Sequence, residues 1–209
     1  MAKQKKRWFR HGKTRISRDR REKNLRHPSL EILEDRKMLA TITWDGGGED
    51  HSWSNPLNWS NDQLPSIADD VTIDVEGSVT IEYNAGSASV QSLVLAENLL
   101  ISEGTLLVAS NLSVDANQWI QTQGTTAWFV AEGLTSIDGV DLYAKEGGRF
   151  YFSAIQSITN VGDTTWEADG FGSQILLPNL TSYNTGNAIG QDVYVRALNG
   201  GLIDLSSLP

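Results

Sequence analysis

The side chains that could do chemistry are unevenly spread along this 209-residue chain. Residues 1–40 hold 14 Lys and Arg against five acids, net +9, and the 169 residues that follow hold three bases and 21 acids, net −18. Beyond residue 40 the only bases are Lys145, Arg149 and Arg196, and the only histidine is His51. Lyase chemistry needs a base beside metal-bound carboxylates, and these three bases do not fall in one repeat column with acids. Glycoside hydrolysis needs two carboxylates about 5–9.5 Å apart, one with a raised pKa. With this many acids such a pair arises by chance, so their number is no evidence. His51 stands in a Gly/Ser-rich loop without a Gly-x-Ser-x-Gly elbow, which leaves it no triad to serve. Phosphate-loop and dinucleotide fingerprints are missing. The chain has no cysteine, which removes disulfides, thiolate metal sites and cysteine nucleophiles.

Asp45, Glu49, Asp50, Asp69 and Asp70 invite a calcium test, because calcium collects six to eight oxygens from alternating loop positions. No Asp-x-Asp-x-Asp-Gly loop accompanies them, and neighbours such as Asp69 and Asp70 point to opposite faces of a strand. The expectation is therefore a protein that is not an enzyme, with no catalytic residue, cofactor or metal site. A fragment of a β-helical polysaccharide-degrading enzyme is the competing reading.

Trp44, Trp53 and Trp59 allow two roles. They can plug the open end of a stack, or their faces can bind sugar rings of a surface polysaccharide. Nucleic acid is not an expected partner of the body, since its acids repel phosphates. Residues 1–29 are basic and too poor in apolar residues to fold, so a disordered arm is predicted. A DNA-binding role for that arm lacks a recognition element. Neither the arm nor Arg20-Arg21 is followed by the apolar run of about 7–15 residues that a secretory signal needs. No stretch is apolar and long enough for a transmembrane segment.

The elements that must carry these side chains repeat. After Gly148, apolar residues recur at Phe150, Phe152, Ile155 and Ile158. The pattern returns from Ser173 with Ile175, Leu177, Leu180 and Tyr183, and from Gly201 with Ile203, Leu205 and Leu208. Looser copies run from Gly104 through Leu106, Val108, Leu112 and Val114, and from Gly124 through Trp128, Val130, Leu134 and Ile137. Taking Ile81, Val108, Val130, Phe152, Leu177 and Leu205 as equivalent gives separations of 27, 22, 22, 25 and 28 residues. Short period-two runs at this spacing, without a crossover helix, predict strands stacked rung on rung. The strand aromatics Trp119, Trp128, Phe129, Phe150, Tyr151, Phe152 and Trp166 are expected to pack between rungs.

The predicted fold is all-β: a right-handed parallel β-solenoid (β-helix) with an aromatic N-terminal cap and a disordered basic arm. Its handedness follows from the bias of parallel crossovers. Residues 1–40 form the arm and a targeting segment, 41–76 the Trp/Gly-rich cap, and 77–209 the solenoid. The repeats are expected to continue beyond residue 209, because no polar capping segment follows the last one.

The stretch Leu33-Glu34-Asp35-Arg36-Lys37-Met38-Leu39 behind a basic N-terminus resembles the LEPR-XLL domain, with Leu33, Glu34, Arg36, Met38 and Leu39 as the targeting motif. Asp35 stands where the family has Pro, and Met38 where it has Leu. That domain begins large repetitive extracellular or surface proteins, notably of planctomycetes and some other Gram-negative bacteria. The resemblance implies export, with export machinery as partner, and an extracellular or cell-surface location. Trp-Asp-Gly-Gly-Gly followed by further Trp, Asn-Trp and Asp-Asp-Val-Thr-Ile resembles a segment that opens β-helical regions in bacterial surface and autotransporter-like proteins. The expected function is a non-catalytic structural or adhesive scaffold. Polysaccharide capture by the cap aromatics is the alternative.

Overall fold

A computed structural model describes residues 40–186 and 191–209. The basic arm, its expected disorder and the targeting motif Leu33, Glu34, Arg36, Met38 and Leu39 lie outside the described residues.

The described chain is nearly all strand. In order it forms β1 (Ala40–Thr43), β2 (Asp69–Ile73), the long β3 (Thr80–Leu95) and β4 (Asn98–Val114), β5 (Trp119–Gln123), β6 (Trp128–Ala131), β7 (Leu134–Ser136) and β8 (Asp141–Lys145). There follow β9 (Arg149–Phe152), β10 (Ser157–Thr159), β11 (Thr164–Asp169), β12 (Gln174–Leu176), β13 (Ser182–Asn184), β14 (Val193–Leu198) and β15 (Leu202–Asp204). All pairings between these strands are parallel. A parallel sheet that curls back on itself rung after rung is the all-β parallel solenoid expected from the repeat.

Each rung turns through three faces. β3 and β4 bend across all of them, with register shifts between Tyr83 and Ser87 and between Val90 and Ser92. The first face continues through β5, β8, β11 and β14, and the second through β6, β9, β12 and β15. The third takes β1, β2 and β7, while β10 and β13 pair separately.

Parallel register puts like upon like. On the first face Ile81, Leu99, Ile120, Leu142 and Trp166 stack in one inward column, and all five are buried. On the second face Leu106, Phe129, Phe150 and Ile175 form the equivalent column. On the third, Ile42, Val71, Leu93 and Leu112 do so. Strands buried on one side need alternate apolar residues, and their stacking is what one rung cannot supply alone.

Two sequence expectations need correction. In the Gly124 copy the inward residues are Phe129 and Ala131, both buried, while Trp128 and Val130 face outward and are half-buried. The reason is the turn. Ala127, not Gly124, occupies the small-residue slot of the rung, because Arg149 N–H bonds the Ala127 carbonyl as Gln174 N–H bonds that of Gly148. Gly124 instead supplies a left-handed turn residue at φ 97°. The slip turns Trp128 and Val130 to the other face of the strand, while Ile137 of the same copy stays inside, 1% exposed. Leu134 pairs with Asn111, so Thr135 takes the place beside the inward Leu112 and Leu134 is 76% exposed. Ile81 also belongs to the first face and is not equivalent to Val108 on the second.

Candidate functional site

The segment between β1 and β2 is where chemistry-bearing residues gather. Trp44, Trp53 and Trp59 come together there as a buried cluster. Trp59 meets Trp44 edge to face at 5.0 Å and Trp53 at 4.8 Å, and Trp53 reaches Tyr83 on the first full rung at 5.9 Å. The Trp59 indole N–H donates to the Trp53 carbonyl at 2.9 Å. This corrects the sugar-platform alternative: the three indoles are at most 5% exposed, so their faces are occupied by one another. Aromatic rings of this size bury large apolar area, and edge-to-face contact adds to it.

A polar hub holds that cluster. Asn58 is fully buried at the end of a short 3-10 turn, Pro56–Asn58, whose first N–H is capped by Asn55. The Asn58 amide donates to Asp50 Oδ1 at 2.7 Å and to the Ser52 carbonyl at 3.0 Å, and it accepts from Gly48 N–H at 2.9 Å. Asp50 also accepts from the Asn55 amide and from Ser52 N–H. These bonds, the Asn55 one first, hold the Asp50 carboxyl below its ordinary value. For Asn58 these bonds are the satisfaction that a buried polar group requires, while Asp50 itself is exposed.

The other acids are used locally. Asp45 accepts from Gly47 N–H, Asp69 from both the N–H and hydroxyl of Ser66, and Asp70 from the Ser92 hydroxyl. Glu49 and His51 line a small cavity beside Trp44. Among the described residues no three His, Asp or Glu side chains converge to hold a metal ion.

The three body bases do not share a column, and each lies over an outward aromatic ring. Arg149 sits 4.8 Å from the Trp128 ring centre, Lys145 5.3 Å from Tyr143 and Arg196 4.6 Å from Tyr194. Arg196 also reaches Glu167 on the rung beneath, at 3.6 Å. Cation–ring contact of this kind is weakly favourable at a surface. Of the strand aromatics, Phe129, Phe150, Phe152 and Trp166 are buried between rungs, whereas Trp119, Trp128 and Tyr151 face outward, half-buried.

A feature with no sequence signal is an uncharged cleft of about 570 Å³ at the base of the second face, between residues 64–67 and 86–89 and walled by Trp53 and Tyr83. Leu64-Pro65-Ser66-Ile67 matches no motif, and only the folded cap sets it opposite β3. Compared with known proteins, the chain matches no family model, no curated protein and no solved structure.

Proposed function

We propose that this chain is a non-catalytic structural or adhesive scaffold of an exported cell-surface or extracellular repeat protein. The observation that carries the proposal is the unbroken inner column from Ile81 through Trp166, closed at its base by the tryptophan cluster. A stack held by neighbour contacts is a stiff rod whose outer faces are free to vary. Its net charge of −18 beyond residue 40 keeps such rods soluble and apart. The export part of the proposal rests on the LEPR-XLL-like residues Leu33, Glu34, Arg36, Met38 and Leu39.

The test is antibody labelling of intact bacteria expressing the chain, beside a variant with Leu33, Arg36 and Leu39 all changed to Ala. Labelling of intact cells that the triple variant loses is the expected result. Antigen reached only after lysis, for both proteins, would sink the export reading.

A further inference from the structure

On the second face, β6, β9 and β12 each have a strand neighbour on both sides. Residues 87–90 of β3 do not: they pair with residues 105–108 of β4 above, and among the described residues no strand pairs with them below. The space below is the cleft of about 570 Å³, and its far lip is Leu64, Pro65 and Ile67. Leu64 and Ile67 are 49% and 48% exposed, while Trp53 and Tyr83 at the back are buried. None of the residues around the cleft is charged, on a body of net −18. Sheet edges are ordinarily guarded by charge, proline or a covering segment. Gly86, Ser87, Ala88, Ser89 and Val90 carry neither charge nor proline.

We propose that this cleft takes an extended peptide segment of a partner protein, added as a further strand beneath residues 87–90. Three observations define the segment. An open row of backbone N–H and C=O groups is complementary to another extended backbone, which supplies affinity, while pockets for alternate side chains supply specificity. The inward column of this face ends at Ala88, so the incoming residue beneath it points toward Trp53 and Tyr83 and is apolar. The uncharged lining excludes acidic or basic side chains at that position, since an unpaired charge there loses its hydration. This inference is independent of the export reading.

The probe is the capped peptide Thr-Leu-Leu-Val-Ala, the sequence of residues 105–109, of which residues 105–108 pair in parallel with the other edge of residues 87–90. It is titrated to about 1 mM into the full chain, with amide hydrogen exchange followed at residues 86–90. The expected result is saturable slowing by about tenfold, lost in Leu64→Glu and in Ile67→Glu, which place a charge on an exposed lip without touching the core. Unchanged exchange at the highest peptide concentration overturns the proposal, as does slowing that both variants retain. Equal protection by cellohexaose assigns the cleft to a glycan, and protection that rises with protein concentration alone assigns it to a second copy. Either result also overturns it.

Discussion

The Phe150 ring stands one rung above Phe129 in the same inward column and meets it edge to face at 6.3 Å. Phe152 closes the group, 5.9 Å from Phe129 and 5.8 Å from Phe150. All three rings are fully buried. Removing the middle one leaves a cavity that flanking rungs cannot fill without breaking their own register. Phe150→Ala should cost about 3–5 kcal/mol of unfolding free energy, read from urea denaturation. Leu134→Ala, at a 76% exposed position, should stay within about 0.5 kcal/mol. Equal costs at the two positions would show that the aromatic column contributes nothing special.

The neighbouring strand offers a sharper test of register. Ala131 lies under Phe152 inside the stack and is 1% exposed, whereas Val130 lies under Tyr151 on the outer surface. Val130→Lys should fold, since the amine reaches water along the outer face. Ala131→Lys should not, because an unpaired ammonium meets Phe152 with neither room nor partner. Circular dichroism and gel filtration of the two variants distinguish the cases. The reverse outcome would place the strand in the register that Gly124 suggests.

Asp50 ties acid stability to the cap. Its carboxyl is held below the ordinary 3.8 chiefly by the Asn55 amide, then by Ser52 N–H and Asn58. A depressed carboxyl binds its proton less readily in the folded chain than in the unfolded one. Its contribution is therefore complete above the unfolded value and is lost as pH falls through the folded one. Asp50→Asn should lower the melting temperature near neutral pH, and the gap from the parent should close as pH drops from about 5 toward 2. Parallel curves over that range would remove Asp50 from the account of the cap.

Most of the rung pattern was legible because its physics is local. A small residue at the turn, then alternate apolar residues, identifies the copies beginning at Gly104, Gly148, Ser173 and Gly201, and Leu106, Phe150 and Ile175 share one column as that pattern requires. It fails at Gly124, where a longer turn separates the left-handed residue from the slot at Ala127. Glycine marks both needs, left-handed φ and close approach, and a sequence does not say which. It fails again at Trp44, Trp53 and Trp59, whose spacing suits a plug and a sugar platform alike. Only their mutual contacts show which faces are covered. The cleft below residues 87–90 was invisible, since it arises where, among the described residues, no strand pairs with that edge, and not from any motif.

The close-approach need is testable at Gly148. A Cβ there would stand 2.4 Å from the Thr122 carbonyl oxygen and 2.5 Å from its carbon. Those are backbone atoms of β5 inside a rung, so they cannot swing aside as a flexible side chain would. Gly148→Ala should therefore destabilise by about 1–3 kcal/mol, although an alanine, Ala127, occupies the equivalent slot in the rung below. Thermal melts measure it. A neutral result would mean that the corner relaxes and that glycine is dispensable there.

Thr122 itself supplies a change in the opposite direction. It is fully buried on the inward side of β5, and among the described residues its hydroxyl has no hydrogen-bond partner. Its column neighbours are Ile101 and Ala144, both apolar. A buried hydroxyl that makes no bond forfeits its hydration, whereas a methyl group of similar size gains burial. Thr122→Val also keeps the branched shape that suits a strand. The variant should be more stable than the parent by about 1 kcal/mol, seen as a higher urea midpoint at unchanged slope. A loss of similar size would mean that the hydroxyl does pair in solution, and that this face of β5 opens far enough to let water in.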